Sequence, residues 1–301
     1  MDHVEPHSVE EQAKEKLLKE KVVEKGLDLP SHVAVYEEFT YVDNHTDIYK
    51  MNTVPRGYCL IINMKKGREE ENQADVESLR SLFEGTLKFT FDVYEDLTKA
   101  QIDELMLKVQ GADHTQLCCF VMFILAHGIH DRNESACFMT FDDMHYKVST
   151  IEREIENIPG LVGKPKLLFF HMCQQKISDH GGTSDFLISF AGINSPVAWR
   201  GRNGSPFIQS LCDVFSNHYT TKEVGQLMAM VAERVAATSV QIAPKTGMKN
   251  VKQHPVHIST LRKSFYFGKP PHYDTYPLNR TSIDPPPTVS DSTTIEPSNY
   301  T

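Results

Sequence analysis

Three runs of this chain, 57–64, 117–126 and 166–172, are apolar at nearly every position instead of alternating with polar residues. A strand that alternates can leave one face in water, whereas a strand apolar throughout must be covered on both faces, as in a buried parallel sheet. Helix-like segments at 75–83, 98–109 and 149–158 and a further strand at 87–93 fall between these runs, so β and α elements alternate strictly. Beyond them the pattern predicts a strand at 185–190, helices at 207–215 and 221–238, and a last strand-like run at 264–267. The expected fold is α/β, with a mostly parallel central sheet of about six strands and helices on both faces.

Composition narrows the function classes. A net charge of −9 argues against general affinity for nucleic acid or acidic membranes, both of which need concentrated Lys and Arg. The six cysteines are scattered without a CxxC pair, which favours neither a disulfide framework nor a zinc site; no metal or other cofactor is expected. No apolar segment approaches the ~20 residues of a membrane span, and the polar start Met1-Asp2-His3 does not resemble a signal peptide. The expected compartment is the cytoplasm. Residues 1–55 read as a helical leader and linker, the leader opening with a Ser8-x-x-Glu11 capping box. Residues 269–301 hold seven of the sixteen prolines and little that could be buried, and read as a disordered tail.

The strand at 166–172 ends on Cys173, and in open α/β sheets the carboxyl ends of strands face the ligand crevice. A cysteine nucleophile needs a base to take its proton and donors to hold the developing oxyanion. His127 is the candidate base. It follows the apolar strand that closes on Ala126 and precedes Gly128, whose bare backbone can approach a substrate oxygen closely.

Further blocks extend the pattern. They include Gly57-Tyr58-Cys59-Leu60, Leu97-Thr98 before Ile102-x-x-Leu105-Met106, Ala126-His127-Gly128 and Gly163-Lys164-Pro165-Lys166-Leu167. Ala198-Trp199-Arg200, Gly204-Ser205-Pro206-Phe207-Ile208-Gln209-Ser210-Leu211, and Lys252-Gln253-x-Pro255 leading to Phe265-Tyr266-Phe267 follow. In content and order, residues 56–267 resemble the caspases, cysteine endopeptidases that cut after aspartate. The resemblance implies a large-subunit-like region at 56–173, a short connector at 174–184 and a small-subunit-like region at 185–268. It implies His127 as base and Cys173 as nucleophile, with the N–H groups of Gly128 and Cys173 as oxyanion hole. Ala198, Trp199 and Arg200 would bind an extended substrate, and members dimerise through the last strand, here near 264–267.

Several positions depart from that pattern. The family usually reads Gln-Ala-Cys-Arg-Gly at the nucleophile, where this chain has His171-Met172-Cys173-Gln174-Gln175. His171 thus replaces a glutamine of the aspartate pocket. With the stretch anchored on Asp75 and Leu79, the pocket arginine after the first strand falls on Glu69, Arg68 one residue away could substitute only if the loop slipped, and the third pocket residue, Arg200, is present. Losing one partner of a buried charge pair costs ~2–5 kcal/mol, so cleavage after aspartate is expected to fall roughly 30-fold to several thousand-fold. The connector is also short, with Asp179 as its one obvious cleavage candidate.

Two functions fit. The first is a caspase-like regulator in cell death that dimerises with an active caspase and modulates it, either as a decoy or as an activator; a homodimer is the alternative assembly. The second is a working cysteine endopeptidase acting on peptides or proteins with weak or altered selectivity before the cut. A protonated His171 would restore part of the lost positive charge, so activity on aspartyl peptides is expected to rise toward mildly acid pH. A rate profile flat between about pH 5.5 and about 7.5 would overturn that expectation.

Overall fold

The computed structural model describes residues 34–35, 47–66, 69–130, 136–174, 184–193, 204–242 and 249–269. The expected leader helix, most of the connector with Asp179, the stretch carrying Ala198, Trp199 and Arg200, and the residues beyond 269 lie outside them.

Two of the apolar runs become β1 (Gly57–Asn63) and β3 (Cys119–Leu125), and the strand expected at 87–93 forms between them as β2 (Thr90–Glu95). From β3 the chain enters a small antiparallel sheet, β4 (Gly128–His130), β5 (Ala136–Met139) and β6 (His145–Lys147). It then returns to the large sheet with β7 (Lys166–Gln174) and β8 (Phe186–Ile193). β9 (Ser239–Ile242) and β10 (Lys249–Lys252) form a separate hairpin, and β11 (Val256–Ser259) closes the sheet. The six-stranded order is β11-β8-β7-β3-β1-β2, parallel throughout except for the antiparallel edge strand β11.

Strand residues point alternately to two apolar layers. Cys59, Ile61, Val121, Phe123, Leu167 and Phe169 meet helices α1 (Glu69–Arg80), α4 (Pro206–His218) and α5 (Val224–Ala237). Tyr58, Leu60, Phe120, Met122, Leu168 and Phe170 meet α2 (Lys99–Gly111) and α3 (Val148–Glu156). Both faces are therefore covered, as the continuous apolar runs require. The start of α2 is set locally: Thr98 Oγ1 accepts the Gln101 N–H at 3.3 Å, and Gln101 Oε1 accepts the Thr98 N–H at 2.9 Å.

The expected last strand is corrected. Phe265 and Phe267 are buried in the α1–α4–α5 layer, which explains their strand-like alternation, but they do not join the large sheet. Ser264 makes one parallel bridge to Ile48, and the edge position belongs to β11.

At the amino end of the sheet, distant stretches of chain converge on Asp185, which is 2% exposed. Its carboxylate accepts Tyr49 Oη at 2.6 Å and Arg262 through Nε at 2.9 Å and Nη2 at 2.6 Å. Burial alone would raise the Asp185 carboxyl, but the bonds from Arg262 and Tyr49 outweigh it and hold it below the ordinary aspartate value. A depressed folded value stabilises the fold above the unfolded value and loses that contribution as pH falls through the folded one. The stability advantage of the wild type over Asp185→Asn is therefore expected to shrink as pH drops from about 6 to below about 4. Arg262→Ala is expected to lower the urea midpoint at neutral pH at unchanged slope.

Candidate active site

The chain enters the sheet at β1, one strand in from the edge, moves outward to the edge strand β2 and returns to β3 on the other side of β1. Such a reversal opens a crevice at the carboxyl ends of the strands. β3 and β7 pair in parallel from Phe120 opposite Lys166 to Leu125 opposite His171, and the Ala126 N–H donates to the His171 carbonyl at 3.3 Å. Two residues further along, β3 leads to His127 and β7 to Cys173. The register brings these backbone positions level at one rim, on strands about 4.8 Å apart.

His127 is exposed at this rim, and its carbonyl accepts the Met139 N–H at 2.9 Å, which ties it to the small sheet. Gly128 opens β4 opposite Phe138. Cys173 stands opposite Gly192 of β8, beyond a register break between Phe190 and Gly192. The Cys173 backbone is described; its thiol lies outside the described residues.

His171 is completely buried, on the face of the sheet covered by α4. Its ring lies parallel to Phe207, with 4° between planes and centroids 6.2 Å apart. A positive charge here would be wholly enclosed, which is costly unless a carboxylate meets it. Glu69 stands in the first turn of α1, and its side chain lies outside the described residues, as do Ala198, Trp199 and Arg200. The structure therefore brings His127, Gly128, His171 and the backbone of Cys173 to one end of the sheet and leaves the remaining pocket residues undescribed.

The other five cysteines, Cys59, Cys118, Cys119, Cys137 and Cys212, are all buried. Burial pushes the thiols of Cys59, Cys119 and Cys212 up, so they stay protonated and unreactive near neutral pH. Among the described residues no group of three or more His, Cys, Asp or Glu side chains could hold a metal ion, and no helix is long and apolar enough to cross a membrane.

A family profile described as "Caspase domain" matches residues 56–266, from the residue before β1 to the end of the described core. This chain belongs to the caspase family. It is 30% identical to caspase-3 of Mus musculus over 244 residues, covering 73% of this chain and 86% of the relative. Caspase-1 of Spodoptera frugiperda is 28% identical over 258 residues, covering 76% of this chain and 84% of the relative. The crystal structure of that insect caspase-1 superposes with a TM-score of 0.65 at 25% sequence identity, covering 79% of this chain and 98% of that one.

Two buried residues, Phe207 beside His171 and Asp75 bonded to Ser205 and Gln209, were not singled out from the sequence. Asp75 and Phe207 sit inside helices, where spacing marks them as ordinary polar and apolar positions. The one available signal was an acidic residue at a position otherwise suited to the buried side of α1.

A small alkylating reagent at neutral pH is expected to modify Cys173 quickly, with the five buried thiols reacting only on unfolding. Mass spectrometry of the intact protein reads the number modified, and rapid labelling that survives Cys173→Ala would contradict the assignment.

Proposed function

We propose that this caspase-family chain is a cysteine endopeptidase whose selectivity at the residue before the cut is weakened or shifted away from aspartate. The shared level of His127 and Cys173 on adjacent strand ends is the observation that supports it best. In this mechanism His127 takes the Cys173 proton and the thiolate attacks the scissile carbonyl. The Gly128 and Cys173 N–H groups stabilise the oxyanion. The protonated His127 then delivers its proton to the leaving amine, and water activated by His127 hydrolyses the acyl-enzyme.

The substrate would lie as an added strand along Ala198, Trp199 and Arg200, with Arg200 the remaining cation for an acidic side chain. His171 and Glu69 replace the groups that would complete an aspartate pocket, and the burial of His171 against Phe207 supports reduced affinity for that carboxylate. A reducing compartment such as the cytoplasm would keep the thiol active.

A second function, the regulator that pairs with an active caspase during cell death, is favoured by the same altered pocket and by β11. Val256, His257 and Ile258 are half-buried at the edge of the sheet, and an edge strand offers backbone groups to a second chain. Either a second copy or an active relative could pair there, which moves the expected dimer contact from 264–267 to 256–259.

The deciding experiment uses purified full-length protein and peptides varied at the residue before the cut. Turnover is expected on some of them, to fall by at least about 10³-fold in Cys173→Ala and in His127→Ala. Absence of both turnover and labelling by a cysteine-directed peptide probe, with a changed rate in an added active caspase, would replace the protease by the regulator.

A further inference from the structure

We infer that Asp75 is the positioning residue of the pocket before the cut, acting through the first turn of α4 and Phe207 on the ring of His171. This rests on the proteolytic function proposed above. Asp75 projects from α1 and is completely buried. A carboxylate removed from water is costly unless hydrogen bonds satisfy it. Its Oδ1 accepts the Ser205 N–H at 2.8 Å and Gln209 Nε2 at 3.0 Å.

These bonds bracket Phe207. Ser205 is the residue that caps α4, its Oγ accepting the Ile208 N–H at 3.2 Å. Gln209 is held from its other side by Ser78 Oγ, which donates to Oε1 at 3.2 Å. The chain enters this arrangement through Gly204 at φ +90°, where a Cβ would lie 2.4 Å from Asp75 Oδ1 and 2.3 Å from Gln209 Nε2. Only a residue without a side chain lets the backbone close so tightly on the carboxylate.

Phe207 has little freedom between these anchors and is itself completely buried beside His171. His171 stands two residues before Cys173. A displacement of the first turn of α4 therefore moves the wall against which His171 rests, while His127 and Cys173 stay fixed by the pairing of β3 and β7. Negative charge is also favourable at the amino end of α4. A well-packed apolar residue often stabilises a core as much as a buried charge does. What the carboxylate adds is a fixed position for two donors.

The test compares full-length wild type with Asp75→Ala and with Asp75→Asn, which keeps the accepting oxygen. The first readout is the ring C–H NMR signal of His171, assigned by its loss in His171→Gln. The second is the split between KM and kcat on the best-cleaved peptide. Asp75→Ala is expected to move the His171 signal and raise KM about tenfold or more, with kcat and alkylation of Cys173 within about threefold. Asp75→Asn is expected to restore both. If Asp75→Ala does not fold, Gln209→Leu removes one of the two bonds and is expected to shift both readouts in the same direction by less. An unmoved His171 signal in folded Asp75→Ala or Gln209→Leu would overturn the inference, as would equal damage from the alanine and asparagine variants. A wild type inert to every peptide and to the peptide probe overturns the proposed function instead, and the His171 signal then decides the positioning role alone.

Discussion

The pairing of β3 with β7 is the constraint on which the rest depends. Six consecutive pairs run from Phe120 opposite Lys166 to Leu125 opposite His171, and every residue of β3 is buried. Because both faces of these strands are committed to apolar layers, polar chemistry is confined to their ends. The parallel direction then matters, since it delivers the chain leaving β3 and the chain of β7 to the same rim. A one-residue slip would exchange the two layers along the whole strand. The level of His127 with Cys173 is thus protected by the burial of residues far from either.

The small sheet extends this logic beyond the core. His127 lies where the chain leaves the large sheet for β4, and the bond from Met139 fixes its backbone there. The side chain can remain exposed without its position becoming loose. His171 shows the opposite arrangement: it is enclosed at the sheet end with Phe207 as its aromatic neighbour.

Much of this was legible in the sequence. Continuous apolar runs identified the central strands, and their strict alternation with helices identified the parallel direction. Motif order singled out His127 and Cys173, whose backbone positions the β3–β7 register brings level at one rim. Alternation misled at Phe265 and Phe267, which are buried on every second residue because they pack beneath helices, not because they pair. The true edge strand, Val256–Ser259, is short and only half-buried, so its composition gives a weak signal. The short strands β4 to β6 depend on pairing with one another, which local pattern does not reveal. Asp75 was invisible as a positioning group because its partners, Ser205 and Gln209, lie about 130 residues further along the chain.

The cluster at Asp185 bears on what a broken chain would do. Tyr49 belongs to the segment before β1, Asp185 immediately precedes β8, and Arg262 follows β11, so three separate stretches are clasped at the base of the sheet. β8 is in addition paired with β7 from Phe186 to Ile193 and with β11 from Leu187 to Phe190. A nick between Gln174 and Asp185 would therefore divide the polypeptide without dividing the particle. The two fragments would separate on a denaturing gel yet travel together under native conditions, and covalent continuity would be a poor guide to whether the molecule is intact.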